Sequence, residues 1–317
     1  MQILIRGLLG FVFTVAISSC TSPRTLEGKR PIEFALIGDV PYSDHDAQVS
    51  FPNMIREINR ADVAFVVHDG DLKSGGTNCS EEILEERRKQ FDTFEAPFVF
   101  IYGDNEWTDC PRNKNNRLTQ EQWLEQLRRV FSADEKSLGK YPMRLERQSE
   151  KFTEWRENVM WRTGEVLFVG LNMPGDKNNY GRPEYAPRNR ANLEWMREAF
   201  REAQKMRALM IIIQANPHFD LARTNQLRIG FNEFIDVLEE ETIKFRKPVV
   251  LVHGDSHYFR IDKPLIGRKS KRRLENFTRV ETFGNPDVHW VHVTIDPADP
   301  EVFIYRPRII RENVVEH

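Results

Sequence analysis

The sequence predicts an α/β protein built around a largely parallel sheet, on two observations. Four short apolar runs lack the alternation of a half-exposed strand, which is typical of strands buried on both faces. Each run then ends in a glycine–aspartate step, where glycine permits the sharp turn by which a chain leaves a sheet edge. The four steps are Gly38-Asp39, Gly70-Asp71, Gly103-Asp104 and Gly254-Asp255.

Strands and helices alternate along the chain after residue 30. The predicted elements are, in order, strand Glu33–Ile37, helix Phe51–Arg60, strand Val63–Val67, helix Ser80–Phe94, strand Pro97–Tyr102, helix Thr119–Val130, strand Val166–Leu171, helix Asn192–Lys205, strand Ala208–Gln214, helix Phe231–Phe245 and strand Pro248–Val252.

Two helix starts carry their own signals, and two regions depart from the alternation. Ser80 with two following glutamates suits a helix N-terminus, and Thr119 to Gln122 has the spacing of a capping box. Residues 132–162 fit no clear element and are predicted to be an insertion. Residues 288–295 and 301–306 alternate in polarity, which predicts antiparallel strands at the end of the domain.

Composition points to one large domain with a substantial core. The chain has 317 residues, of which 40% are hydrophobic. It has 46 basic and 48 acidic residues, a formal net charge of −2. That balance gives no electrostatic reason for the whole chain to bind nucleic acid.

The N-terminus has the pattern of an export signal. Arg6 precedes an apolar stretch that ends at Ile17, as in a signal peptide. Ile17-Ser-Ser-Cys20 resembles a bacterial lipobox, so residues 1–20 are expected to be a signal peptide and Cys20 the lipidated residue. Residues 21–30 would be a tether and residues 31–317 the folded domain, lipid-anchored to a membrane of the bacterial envelope. The alternative is an ordinary cleaved signal peptide and a periplasmic protein.

Cys79 and Cys110 are the remaining cysteines. In an exported protein a disulfide is their expected state, and it would tie together two loops that follow glycine–aspartate steps. Two free thiols, or a metal site that includes cysteine, are the alternatives.

The four aspartates are expected to meet, because the carboxyl ends of parallel strands lie at one edge of a sheet. Carboxylates gathered there repel one another at neutral pH unless a cation lies between them. The pattern therefore indicates a metal site.

The order of these blocks, ending in Gly254-Asp-Ser-His257, resembles the calcineurin-like metallophosphoesterases. The blocks of that family are D-x-H, G-D-x-x, G-N-H-D/E, H-x-P and G-H-x-H, and the resemblance spans nearly all of the predicted domain. It implies a metallophosphoesterase-like four-layer α/β/β/α sandwich of two mixed sheets flanked by helices. It also implies two metal ions and metal-assisted hydrolysis of phosphomonoesters or phosphodiesters.

The resemblance assigns metal ligands residue by residue, with Asp71 as the carboxylate that bridges two ions. The expected ligands are Asp39, Asp71, Asp104, Asp255 and His257. Several family imidazoles are missing. Pro41, Asn105, Ala215 and Asp255 stand where the family has histidine. An oxygen-rich set of this kind suits Mn²⁺ or Mg²⁺ better than zinc, and whether it holds one ion or two is left open.

The missing imidazoles also affect the expected chemistry. Asn105, at the position of a catalytic histidine, can hydrogen-bond a phosphate oxygen but cannot act as an acid. His253 and His218 are therefore the candidates for protonating the leaving group, although either could be structural. A second hypothesis is a non-catalytic, envelope-anchored binding or structural lipoprotein that keeps the fold. Neither the substrate nor the oligomeric state is indicated.

Overall fold

The structure is a computed structural model that describes residues 30–112, 116–148 and 154–314. The expected signal peptide, the lipidation site Cys20 and the tether up to residue 29 lie outside the described residues. Within the described ranges, no helix has the length and apolarity that a membrane crossing requires.

Two mixed sheets lie face to face, and helices cover both outer faces. This confirms the expected four-layer α/β/β/α sandwich. The described strands are β1 (Ile32–Ile37), β2 (Val66–His68), β3 (Phe98–Phe100), β4 (Glu146–Arg147), β5 (Val159–Thr163), β6 (Val166–Gly170), β7 (Ala208–Ile212), β8 (Val249–His253), β9 (Arg260–Asp262), β10 (Phe277–Glu281), β11 (Trp290–Ile295) and β12 (Phe303–Arg308). The helices are α1 (Phe51–Arg60), α2 (Glu81–Phe91), α3 (Gln120–Phe131), α4 (Gly175–Asn178), α5 (Tyr185–Glu202) and α6 (Asn232–Phe245).

The first sheet has the strand order β12-β11-β1-β2-β3. Its central strands β1, β2 and β3 are parallel, with Ala35 opposite Val66 and Val66 opposite Phe98. The strands β11 and β12 add to it antiparallel, beginning with β11 beside β1. The alternating segments near the C-terminus are therefore the antiparallel strands that the sequence predicts.

The second sheet has the order β4-β5-β6-β7-β8-β10-β9. Strands β6, β7, β8 and β10 run parallel, and β5 and β9 are antiparallel to their neighbours. The predicted insertion at residues 132–162 supplies β4 and β5, so part of it belongs to the core sheet. Strands β9 and β10 were not predicted.

Aromatic side chains fill the space between the sheets. Phe34 stacks on Phe65 with ring centroids 4.7 Å apart, and Phe168 stacks on Trp161 at 5.0 Å. A second apolar layer packs the first sheet against α1, α2 and α3, and a third packs the other sheet against α5 and α6. Burying each such large side chain contributes roughly 1.5–3 kcal/mol.

Capping side chains fix two of the helix starts. The Ser80 hydroxyl accepts the Ile83 N–H at the start of α2, and Thr119 and Gln122 form the expected capping box on α3. Helix α5 begins seven residues before its predicted start. Pro187 lies in its first turn, where a helix N–H has no partner to lose.

Candidate active site

The loops that follow β1, β2, β3, β6, β7 and β8 meet at one edge of the sandwich and form the candidate site. Four expected ligands have left-handed backbones there: φ is 52° at Asp39, 61° at Asp71, 73° at Asp255 and 55° at His257. Aspartate and histidine visit this region more easily than most residues do, although it is uncommon for any residue other than glycine. Such conformations persist where the surrounding structure imposes them, which is typical of functional sites.

Asp39 connects the two sheets. Its carboxylate accepts the backbone N–H of Asp255, with both oxygens at 3.1–3.2 Å. The Nε2 atom of His257 lies 3.5 Å from Asp39 Oδ1. Asp39 is fully buried, so its charge is held close to these partners rather than solvated.

His257 presents Nε2 to the cluster because its other ring nitrogen is engaged. Nδ1 lies 2.6 Å from the carbonyl oxygen of Asn285. A carbonyl only accepts, so Nδ1 carries the hydrogen, which is how protein carbonyls orient metal-binding histidines. Burial by itself lowers the pKa of His257, but the hydrogen bond and the charge of Asp39 raise it, and the net pKa is raised.

Asp71 lies at the centre of the cluster and is buried. Its Oδ2 accepts from the Tyr42 hydroxyl at 3.0 Å and from Gln214 Nε2 at 3.2 Å. Its Oδ1 accepts the Asn105 backbone N–H at 3.1 Å. Contacts with three different loops make Asp71 the carboxylate through which those loops are joined.

Asp104 and Asp255 face each other across Gly175. The Oδ1 atoms lie 2.7 Å (Asp104) and 2.8 Å (Asp255) from the point that a Cβ on residue 175 would occupy. Any larger residue at position 175 would therefore fill the space between the two carboxylates. The Oδ1 atom of Asp104 is buried and accepts no hydrogen bond from the residues that the structure describes, which leaves it available to a ligand.

Tyr42 is a site residue that the sequence interpretation missed. Its hydroxyl lies within hydrogen-bonding distance of Asp39, Asp71, Asn105 and His257. Its place three residues after Asp39 was the available signal.

Glu106 is fully buried and holds the backbone of two of the site loops. Its Oε1 accepts the backbone N–H groups of Gly103 at 2.5 Å and of Asp71 at 3.3 Å. Lys73 is also buried and donates to the carbonyl oxygens of Ser74 and Thr77. Lys73 therefore serves as an internal cation beside the acids.

Burial and mutual repulsion perturb the acids strongly. Burial raises the pKa of Asp71 well above its usual range, and the charges of Asp104 and Glu106 raise it further. Burial, followed by the charge of Asp255, does the same to the pKa of Asp104. Burial raises the pKa of Asp255 to about 6 and that of Glu106 to about 7. In the metal-free protein these carboxylates are thus unfavourable as anions, and a cation would relieve them.

The structure gives neither histidine candidate for the proton donor a contact with the four carboxylates. His253 is fully buried, its Nδ1 lies 2.9 Å from the Gly254 carbonyl oxygen, and its Nε2 is 3.9 Å from Glu281. Its Nε2 atom faces the buried carboxylate of Glu281 rather than the aspartate cluster. This geometry does not support the expected catalytic role. His218 is half-buried on the loop after β7, where its backbone N–H donates to Asn216.

Cys79 and Cys110 form the expected disulfide, with Cα atoms 5.5 Å apart. The two sulfurs lie 3.6 and 3.9 Å from the carbonyl oxygen of Asn105. The bridge therefore joins the loop after Asp71 to the loop that carries Asp104 and Asn105.

The donor set fits a hard divalent cation in its chemistry, although the described residues contain no ready-made cluster of three His, Cys, Asp or Glu side chains that could hold one. The Tyr42 hydroxyl contacts the carboxylates of both Asp39 and Asp71. Buried carboxylates, a fixed imidazole nitrogen and one oxygen without a partner are the groups that Mg²⁺, Mn²⁺ or Ca²⁺ binds.

Comparison with solved structures places the fold among phosphatases and related proteins. A dimetal phosphatase from Danio rerio is 12% identical to this chain, and the match covers 88% of this chain and 96% of the phosphatase, with a TM-score of 0.59. A purple acid phosphatase from yellow lupin (Lupinus luteus) is 13% identical and covers 90% of this chain and 53% of its own, with a TM-score of 0.51. GAP50, an anchor in the inner membrane complex of Plasmodium, is 12% identical over 89% of this chain and 90% of its own, with a TM-score of 0.50.

These identities establish similarity of fold alone. No curated protein matches the chain. The model of the calcineurin-like phosphoesterase family, in contrast, matches residues 32–259, well over half of the chain. The chain therefore belongs to the calcineurin-like phosphoesterase family and is by class a hydrolase acting on phosphate esters.

Proposed function

We propose that this protein is a metal-dependent phosphoesterase that hydrolyses phosphomonoesters or phosphodiesters outside the cytoplasm. The observation that carries the proposal is the excess of carboxylates at one edge of the sandwich. Asp39, Asp71 and Asp104 are buried there and Asp255 adjoins them, whereas Lys73 contributes a single positive charge nearby. Burying unpaired charge costs several kcal/mol per ion, so this arrangement favours bound cations.

The donor atoms support Mn²⁺ or Mg²⁺ rather than zinc. Four carboxylates and one imidazole form an oxygen-rich set, whereas zinc prefers nitrogen and sulfur. Asp71 contacts groups on both sides of the cluster, which is the placement that a residue shared by two ions requires. One side would comprise Asp39, Asp71 and His257, and the other Asp71, Asp104 and Asp255.

The chain's own residues would hold and orient the ester. Divalent cations, when bound, supply Lewis acidity that polarises phosphoryl oxygens and makes water a stronger nucleophile. The Asn105 side chain donates through Nδ2, at present to Tyr42 at 3.0 Å, and this donor can turn to a phosphate oxygen. Gly175 leaves open the space between the carboxylates of Asp104 and Asp255, which attracts a cation.

Location is the second part of the proposal. The lipobox-like sequence that ends at Cys20 supports export and lipid anchoring to a membrane of the bacterial envelope, with the tether holding the domain beside it. The balanced charge of the chain supports a small phosphate-ester substrate rather than nucleic acid.

Hydrolysis of an activated aryl phosphate and of an aryl phosphodiester tests the activity. The purified chain should hydrolyse at least one of them with added Mn²⁺ or Mg²⁺, and excess chelator should stop the reaction. Asp71→Asn should reduce kcat/KM more than about 100-fold, because loss of even an outer-shell partner of a metal costs up to that much. Asp62→Asn is a matched control, since Asp62 is exposed and has a similar left-handed backbone, with φ of 51°.

Two outcomes would contradict the proposal. Hydrolysis that continues in Asp71→Asn or in chelator would show that the reaction does not use this site. No hydrolysis of either ester with any of Mn²⁺, Mg²⁺ or Ca²⁺ would favour the non-catalytic alternative, a role of the kind named for the Plasmodium anchor protein.

A further inference from the structure

The hydroxyl of Tyr42 occupies the position from which it contacts most of the candidate site. It lies 3.0 Å from Asp71 Oδ2, 3.4 Å from Asp39 Oδ1 and 3.3 Å from His257 Nε2. The Nδ2 atom of Asn105 donates to it at 3.0 Å. Three strand-end loops of the first sheet, after β1, β2 and β3, and one of the second, after β8, therefore meet at a single phenolic oxygen.

The hydrogen count at this oxygen shows an excess of lone pairs. Asn105 Nδ2 supplies one hydrogen to the oxygen, and the phenol has one hydrogen of its own. When both carboxylates are ionised and the His257 ring is neutral, as cation binding requires, three acceptors face that single hydrogen: the carboxylates of Asp39 and Asp71, and the Nε2 lone pair of His257, whose Nδ1–H is bonded to Asn285. One hydrogen cannot satisfy three acceptors, whereas a cation can be shared among them.

Pro41 carries neither a side-chain donor atom nor an N–H. The phenolic oxygen of Tyr42 is a hard donor of the kind that oxygen-binding cations take. Its ring is held at the edge of the His257 ring, with centroids 5.2 Å apart, so the hydroxyl is directed into the cluster.

We propose that Tyr42 is a metal-binding residue: its phenolic oxygen completes, with Asp39, Asp71 and His257, the donor set for a divalent cation. This inference rests on the cation dependence in the proposed function. The opposing possibility is that the hydroxyl only fills the space between the carboxylates, and that an ion must push it aside to bind. Removing the hydroxyl should weaken Mn²⁺ binding in the first case, and should leave it equal or strengthen it in the second.

Calorimetric titration of the metal-free full chain with Mn²⁺ decides between them. Tyr42→Phe removes only the hydroxyl and should weaken Mn²⁺ binding at least about tenfold, the lower end of the cost of an altered metal environment. Tyr258→Phe is the matched control: Tyr258 follows His257 but is 66% exposed, and its loss should leave the affinity unchanged. Binding by Tyr42→Phe that is equal to, or tighter than, that of the wild type would overturn the proposal.

Two further measurements distinguish loss of metal binding from loss of folding. Circular dichroism in chelator shows whether Tyr42→Phe folds, and Tyr42→His returns a donor atom to the same position. Mn²⁺ binding by Tyr42→His that is tighter than that of Tyr42→Phe supports the proposal, and equal binding of the two contradicts it.

The same titrations separate this inference from the proposed function. A wild-type chain that binds Mn²⁺ but hydrolyses no ester removes the proposed activity and leaves the Tyr42 result to stand on its own. A wild-type chain that binds no Mn²⁺ overturns both.

Discussion

The disulfide between Cys79 and Cys110 allows a quantitative prediction of stability. It closes a loop with a sequence separation of 31 residues. In the chain-entropy treatment, removing such a crosslink restores about 12 cal/mol/K to the unfolded chain, or about 3.7 kcal/mol at 25 °C. For a chain of 317 residues that corresponds to a fall in melting temperature of about 6 °C.

The assay is denaturant and thermal unfolding of the double variant Cys79→Ser/Cys110→Ser beside the oxidised wild type. The wild type in strong reductant should match the double variant, and Cys20→Ser, which keeps the bridge, should match the oxidised protein. Hydrolytic activity should fall as well, because the sulfurs lie against the Asn105 carbonyl. A double variant within 1 kcal/mol of the oxidised wild type would refute the loop-closure reasoning.

Three further predictions concern other parts of the chain. Arg188 is fully buried and paired with Glu184 at 2.7 Å, so Arg188→Met should lower the free energy of unfolding by about 3–5 kcal/mol, against little change for the exposed control Arg190→Met. Burial lowers the pKa of His68 from 6.5 to about 4, so the unfolded chain binds a proton before the folded chain does as the pH falls. The free energy of unfolding should therefore fall by about 1.4 kcal/mol per pH unit between pH 6.5 and 4. Urea titrations across that range should show this component in the wild type and lack it in His68→Gln. Cys20→Ser should move the protein from the membrane to the soluble fraction and abolish incorporation of labelled fatty acid; unchanged membrane attachment would contradict the anchor.

The fold was predictable where the signal is local. Uninterrupted apolar runs predict buried parallel strands because both faces of each strand pack against other layers. Strands β9 and β10 carry no such signal. Arg279 on β10 is buried in a pair with Asp262 on β9, and a run containing buried ions resembles a polar loop until its partner is known.

The site was predictable in part, for the same reason. Aspartates directly after buried strands must lie at the sheet edge, so their convergence follows from the pattern. Gln214 and Gly175 belong to the site through contacts between distant segments, which no local spacing reveals. The orientation of His253 is also a tertiary property, since either face of a doubly buried strand packs against protein.

The left-handed backbone at four of the expected ligand positions limits how this site can change in evolution. Glycine, asparagine, aspartate and histidine tolerate such a conformation far better than β-branched or bulky apolar residues do. Mutation at these positions therefore exchanges one polar, electron-donating group for another more readily than it introduces an inert one. Aspartate at position 255, where the resemblance to the family implies a histidine, would be a replacement of this kind, and such exchanges would change which ion is preferred while the loops keep their shape.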